Sequence, residues 1–153
     1  MRFSATFSDL CVVWKAQGLP LFIVLARQSI NASREIRHTA ISHLQRILLA
    51  SPLANQADQP QVEELFNRVI FHVVDDLLKP QIAGRDPHGM GETRLRASAL
   101  LCKVFMHLEA RESRATTDFR LLWIQVLDLL DRLMNVSRRD QLVGITQVLR
   151  CKF

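Results

Sequence analysis

Apolar residues recur along this chain every three or four positions, the spacing that brings them onto one face of an α-helix. The clearest example is 59–79, which Pro80 is predicted to end. Its apolar stripe is formed by Val62, Leu65, Phe66, Val69, Ile70, Val73 and Leu77. Residues 117–135 repeat this pattern, and further helices are predicted at 34–50, 92–108, about 19–31 and from about 139. Because no stretch alternates apolar and polar residues as a strand does, the predicted fold class is all-α.

A shift of 57 residues aligns two of these helices with two others. It places Glu35, Arg37, Ala40 and Leu44 on Glu92, Arg94, Ala97 and Leu101, and the stripe from Leu65 on the stripe from Leu122. The aligned positions include charged residues, which helical periodicity alone does not explain. The repeat therefore predicts antiparallel helix pairs stacked as a HEAT/armadillo-like or TPR-like α-solenoid segment.

The predicted organisation is an N-terminal lead-in, 1–18, followed by one helical-repeat domain, 19–153, with helix pairs at about 19–50, 59–108 and 117–150. Neither end of this domain carries the polar outer face of a capping repeat. We therefore expect the chain to be a slice of a longer solenoid, with a truncated or mis-spliced product as an open alternative. Expressed alone, it should aggregate or dimerise through its apolar ends.

Net charge limits the kinds of binding partner, and cysteine content indicates the cellular compartment. The net charge of +5 is compatible with an acidic protein or an anionic membrane, whereas the absence of Tyr and the lack of a concentrated basic patch disfavour nucleic acid. Cys11, Cys102 and Cys151 are far apart and outside any C-x-x-C pattern, which indicates a reducing compartment. The longest apolar run, 19–26, is too short to span a membrane.

The sequence predicts no catalytic site, no metal site and no cofactor. His38 and His43 are five residues apart and so lie on different helix faces. Paired carboxylates at 63–64, at 75–76, and at 128 and 131 lie beside apolar stripes, so they are interpreted as solvated helix faces. The connector 83–91 contains three glycines but neither phosphate-loop pattern, and it is interpreted as a linker.

Arginines supply the only candidate surface. Four of them lie at matching ends of equivalent helices, where stacking would bring them into one ridge: Arg34, Arg37, Arg94 and Arg96. Arg138 and Arg139 cluster at a predicted connector and complete the candidate surface. One interpretation is a solvated face that is partly salt-bridged, with Glu35 and Glu92 as near partners. The other is a basic surface for an acidic protein or an anionic membrane, with a salt-sensitive affinity.

Three runs of residues resemble a known family. The most specific run is GMGETRLRASALLCKVF at 89–105. Two other runs match the same region of that family in the right order: RHTAISHLQR from 37 with Leu48 and Leu49, and LW at 122–123 through Met134. They are similar to the C-terminal helical region of large Golgi Arf guanine nucleotide exchange factors of the GBF/Gea type. Gly91 falls where that family has an acidic residue, which predicts a shortened helix start.

The resemblance implies a non-catalytic regulatory scaffold in vesicle traffic between endoplasmic reticulum and Golgi. The implied location is cytoplasmic and peripheral at the early Golgi. The implied partners are another protein or neighbouring domains of the same polypeptide, a peripheral contact with anionic membrane, and an Arf-type GTPase only indirectly. An unrelated HEAT-like adaptor stays open as the alternative function, and an all-α enzyme is disfavoured because no catalytic constellation is visible.

Overall fold

A computed structural model of the chain describes residues 14–50, 59–109 and 117–150, and six helical elements account for nearly all of them. Two elements contain a π-helical turn, in which the backbone hydrogen bonds span five residues. The elements are α1 (Trp14–Gly18, π-helical, then Leu19–Gln28), α2 (Arg34–Ala50), α3 (Gln59–Leu65, then Phe66–Ile70, π-helical, then Phe71–Leu78), α4 (Pro80–Ala83), α5 (Met90–Glu109) and α6 (Thr117–Arg150). No strand occurs in these ranges, so the all-α prediction is confirmed.

The end of α3 follows directly from Pro80, as the sequence predicted. Proline disfavours the helical conformation in the residue before it. Lys79 accordingly adopts an extended conformation with φ −68° and ψ 130°, which ends α3 at Leu78. Pro80 then occupies the first position of α4, where its missing N–H leaves no hydrogen bond unmade.

The start of α5 differs from the prediction. Gly91 was expected to break the chain and delay the helix to residue 92, yet α5 begins at Met90 and Gly91 lies within its first turn. The N–H of Thr93 bonds the carbonyl oxygen of Gly89 at 3.1 Å, so Gly89 holds the cap position. A single glycine in the first turn is tolerated because the bond to Gly89 and the packing of α5 outweigh its low helix propensity.

The prediction of two helices over 117–150 was wrong, because α6 is one helix from Thr117 to Arg150. The expected break lay near residues 135–139. That segment contains neither Gly nor Pro, and nothing in it stops the i to i+4 hydrogen bonding. The two parts of the apolar pattern therefore belong to one long helix.

The helices form two layers, with α1, α3 and α6 in one and α2 and α5 in the other. Each helix packs against its neighbour in the same layer and against a helix of the other layer. Successive long helices run antiparallel, since Phe105 near the end of α5 packs on Phe66 in α3, at 6.3 Å between ring centroids, and on Trp123 near the start of α6, at 5.0 Å. This is the architecture of a short α-solenoid.

Helices related by the 57-residue repeat are parallel neighbours in one layer. Arg132 of α6 forms an ion pair with Asp75 of α3 at 2.9 Å, and these two positions are 57 residues apart. The repeat also predicts burial, because Ala40 and Ala97 are both buried, as are Leu44 and Leu101. Fully buried leucines of this kind each stabilise the fold by about 1.5–3 kcal/mol.

Candidate functional site

Arg37 lies on the first turn of α2 and is completely buried, with 0% of its surface exposed. The turn before α2 prepares its environment, because the side-chain oxygen of Asn31 accepts the N–H of Ser33 at 2.9 Å. The carbonyl oxygens of Asn31 and Ala32 then accept hydrogen bonds from Nη1 of Arg37 at 3.0 and 2.9 Å. A buried guanidinium is tolerated only when its donors are satisfied in this way.

Asp86, in the connector before α5, completes the arrangement from the next repeat. Its two carboxylate oxygens accept a forked pair of hydrogen bonds from Arg34, with Nε at 3.0 Å and Nη2 at 2.9 Å. Nη2 of Arg37 donates to the same carboxylate at 2.5 Å, and the backbone N–H of Gly89 donates at 3.0 Å. These donors hold the pKa of Asp86 far below its ordinary value, and the Asp86 carboxylate raises the pKa of Arg34.

Thr93, on the first turn of α5, links the cluster to His38. Its hydroxyl donates to the carbonyl of Gly89 at 3.1 Å and accepts from Nε of Arg37 at 3.2 Å. Nε2 of His38 lies 3.1 Å from the same hydroxyl, which assigns the imidazole proton to Nε2 because the hydroxyl has already used its one donor. Burial, reinforced by the nearby charge of Arg96, lowers the pKa of His38.

Gly89 is favoured at its position because it has no side chain. A β-carbon there would lie 2.0 Å from Nε of Arg34 and 2.2 Å from Oδ2 of Asp86. A larger residue would therefore displace the Arg34 side chain from the Asp86 carboxylate. The connector 83–91, interpreted from sequence as a linker, thus carries both the acceptor and the space for this cluster.

These residues form an inter-repeat junction, defined here as Arg34, Arg37, His38, Asp86 and Thr93 with the backbone of Gly89. Every ionisable group in it is engaged by an opposite charge or a hydrogen bond, which suits a structural role. Across the described residues, no three or more His, Cys, Asp or Glu side chains are grouped to hold a metal ion. The described helices also include none that is long and apolar enough to cross a membrane.

Each carboxylate pair noted in the sequence has at least one member in an ion pair. Glu64 bonds Arg68 at 2.9 Å and Asp76 bonds Lys79 at 2.5 Å, each along its own helix. Asp75 pairs with Arg132 across the α3–α6 contact. These residues were interpreted from sequence as solvated helix faces, and the structure adds that several of them are ion-paired there.

Two of the six arginines singled out in the sequence are not on the surface. Arg37 belongs to the junction, and Arg94 is only 3% exposed, with its Nε donating to the carbonyl of Leu77 at 3.0 Å. The two are repeat equivalents, and both use the guanidinium to satisfy backbone carbonyls. The single ridge that was predicted from Arg34, Arg37, Arg94 and Arg96 therefore does not form.

The other four arginines are accessible. Arg34 is half exposed and bound to Asp86, and Arg96 is half exposed and bound to Glu92 at 2.9 Å. Arg138 and Arg139 lie exposed on α6. Binding of an anionic partner at these residues stays a prediction.

A groove between α5 and α6 is the main surface feature that the sequence interpretation missed. Its volume is about 650 Å³ and its walls are mostly apolar. The lining residues are Arg94, Leu95, Ser98, Ala99 and Cys102 from α5, and Leu127, Leu130, Asp131, Leu133, Met134, Ser137 and Arg138 from α6. The signal was present in the width of the apolar stripe on 117–135, which exceeds what one packing partner covers.

Fold and surface together define a helical-repeat segment with an open groove between α5 and α6. The model of the GBF1-like tetratrico peptide repeat region matches residues 18–149 of the chain, and the chain belongs to this family. The resemblance to large Arf exchange factors and the repeat-type fold class are thereby confirmed.

Two curated relatives agree with this assignment. The chain is 31% identical over 138 residues to a Golgi-specific brefeldin A-resistance guanine nucleotide exchange factor 1 homolog of Caenorhabditis elegans, covering 88% of the chain and 7% of that relative. It is 30% identical over 140 residues to the ARF guanine-nucleotide exchange factor GNOM of Arabidopsis thaliana, covering 91% of the chain and 9% of that relative. The chain thus spans less than a tenth of either relative. No solved structure matches it.

Proposed function

We propose that this chain is a non-catalytic scaffold segment of an Arf guanine nucleotide exchange factor that acts in transport between endoplasmic reticulum and Golgi. The observation that carries the proposal is the family match over 18–149, on a fold whose polar cluster is fully engaged in joining repeats. Family membership replaces the alternative of an unrelated HEAT-like adaptor, while binding of a protein partner through the same fold stays part of the proposal.

The proposed mechanism is presentation of a surface by a rigid stack. The junction fixes α2 relative to α5 through charge-assisted hydrogen bonds, which are shorter and stronger than neutral ones. Fixed helices hold exposed side chains at constant spacing for a protein partner or for neighbouring domains of the same polypeptide. An Arf-type GTPase would be affected only indirectly, through the rest of the exchange factor.

An exchange assay tests the non-catalytic part of the proposal. Purified chain is added to an Arf GTPase loaded with a fluorescent GDP analogue, beside a catalytic exchange domain as positive control. We expect the chain to leave the rate of nucleotide release at its intrinsic value. A concentration-dependent acceleration by the chain, abolished by a point substitution, would contradict the proposal.

Localisation tests the cellular part. The chain fused to a fluorescent protein is expected in the cytoplasm with a fraction at the early Golgi, held there by partners or by anionic membrane. In vitro, Arg96, Arg138 and Arg139 replaced together by Glu should weaken sedimentation with anionic vesicles at low salt, because exposed charges act within a Debye length of about 10 Å.

The matched control replaces three other exposed arginines, Arg27, Arg46 and Arg68, by Glu, which changes the net charge equally. If both triple variants lose vesicle binding to the same degree, net charge rather than this surface is responsible. If neither loses binding, the anionic-surface component of the proposal is wrong.

A further inference from the structure

The groove between α5 and α6 has an occupied counterpart elsewhere in the molecule. By the 57-residue repeat, α5 and α6 correspond to α2 and α3, and the groove between α2 and α3 is filled by α5 itself. The α3 counterparts of three residues that line the open groove are Ile70, Val73 and Leu77, and all three are buried. A helix from the following repeat is thus what closes a groove of this kind.

The same positions on α6 lie open. Ile70 corresponds to Leu127 and Leu77 to Met134, which are 47% and 55% exposed and line the groove. On the α5 side, Leu95 is 70% exposed where its counterpart, His38, is packed against Thr93 and Glu92 of the next repeat. Apolar side chains at positions that are buried in the equivalent repeat indicate a surface that another helix can cover.

The charge of the groove specifies one end of that helix. In the filled groove, the carboxylate of Asp86 just before α5 meets Arg34 and Arg37. In the open groove, Arg94 is the counterpart of Arg37, and Gly91 takes the place of Arg34. Arg138 of α6 supplies a second positive charge at the same end, where α5 begins. Among the described residues no carboxylate forms an ion pair with Arg138, so an acidic group from the occupant would complement it.

We propose that the α5–α6 groove binds an amphipathic α-helix that resembles α5 and carries a carboxylate immediately before its first turn. The helix would run parallel to α5, since equivalent helices in this layer are parallel, with its apolar face on Leu127, Leu130 and Met134. Its carboxylate would lie at Arg138. The proposal concerns the groove alone and does not depend on the proposed role in an exchange factor.

The test uses the chain's own α5 sequence as the probe, because that helix already fits the equivalent groove. A fluorescent peptide of residues 84–107 is titrated into the full chain under reducing conditions. We expect saturable binding that is weakened at least about tenfold, or about 1.4 kcal/mol, by Leu127→Asp with Met134→Asp. Leu121→Asp, at an exposed leucine of α6 outside the groove, should leave binding unchanged.

A charge exchange tests the acidic end. A peptide with Asp86→Lys should bind the unaltered chain several-fold more weakly, and Arg138→Glu in the chain should restore its binding. Equal binding of the two peptides would overturn the carboxylate part of the proposal. Absence of binding, or binding that ignores the groove substitutions, would overturn all of it.

Sedimentation of the chain alone identifies the competing occupant. We expect groove substitutions to leave its oligomeric state unchanged. If the unaltered chain dimerises and Leu127→Asp with Met134→Asp makes it monomeric, a second copy fills the groove and the proposal is overturned. Because neither readout involves nucleotide exchange or localisation, failure here is distinguishable from failure of the proposed function.

Discussion

The α2–α3 groove and the α5–α6 groove are built from equivalent sequence and differ in whether a third helix fills them. In α3, which packs against α5, Ile70 and Leu77 are completely buried, whereas their counterparts in α6, Leu127 and Met134, stay about half exposed. In a solenoid, burial of a residue is therefore decided by the neighbouring repeat as much as by the residue itself. The comparison separates residues that hold this segment together from residues offered to a partner.

The largest difference is expected between Leu77 and Met134. Leu77→Ala should lower the free energy of unfolding by about 4 kcal/mol, because it removes a fully buried side chain and leaves a cavity. Met134→Ala, at the equivalent exposed position, should change it by no more than about 0.5 kcal/mol. Urea unfolding followed by circular dichroism measures both. Similar losses for the two variants would mean that the α5–α6 groove is closed in solution.

Breaking the junction at Arg37 is expected to lower the free energy of unfolding slightly less than Leu77→Ala does. Arg37→Met keeps most of the apolar stem but removes every hydrogen bond to Asn31, Ala32, Asp86 and Thr93. The free energy of unfolding should fall by about 3 kcal/mol, in line with other buried pairs that lose one partner. Arg96→Met, which removes an exposed arginine of α5, is the control and should leave the unfolding midpoint nearly unchanged. Equal midpoints for the two variants would refute a structural role for Arg37.

Substitutions of Gly89, in the connector before α5, and of Gly91, in the first turn of α5, should change the stability less and in opposite directions. Gly89→Ala should destabilise the chain by about 1 kcal/mol, because the new β-carbon displaces Arg34 from Asp86. Gly91→Ala should instead stabilise it by about 0.5 kcal/mol, since no atom lies within 4 Å of the added carbon and the residue is helical. The two variants are compared by thermal unfolding, and shifts of the same sign would contradict the geometry of the junction.

Acid should weaken the junction through Asp86. Its pKa is lower in the folded chain than in the unfolded chain, so its contribution is fully present above its ordinary pKa of about 4 and is lost as the pH falls through and below that value. Asp86→Asn should be less stable at neutral pH and should lose less further stability between about pH 5 and pH 3. Asp128→Asn, which removes an exposed carboxylate of α6, should keep the acid sensitivity of the unaltered chain.

His38 should add a second pH effect at a higher range. Its pKa is lowered on folding, so the unfolded chain binds the proton more readily and stability falls as the pH drops through the ordinary histidine range near 6.5. His38→Gln should reduce the change in the unfolding midpoint between about pH 7.5 and pH 5.5. A midpoint profile that keeps its slope in this variant would assign the effect to another group.

The sequence predicted the helices because they depend on local periodicity. It predicted the repeat because apolar and charged residues recur together at one offset of 57 residues. It did not predict the burial of Arg37, since arginine is usually exposed and the partners Asp86 and Thr93 lie 49 and 56 residues away along the chain. The continuity of α6 was missed for a related reason, because a weak polar stretch resembles a break when tertiary packing is unknown. The open groove needed the structure, which shows which equivalent positions are covered.

Helix α6 extends well beyond the groove that it lines. It continues for twelve residues past Arg138, the last residue of α6 that lines the groove, which corresponds to roughly 18 Å at 1.5 Å per residue. Over that length, a tilt of about 10° at Arg138 would move the last residue of the helix by roughly 3 Å. Small adjustments where a helix seats in the groove would thus be magnified at the far end of α6.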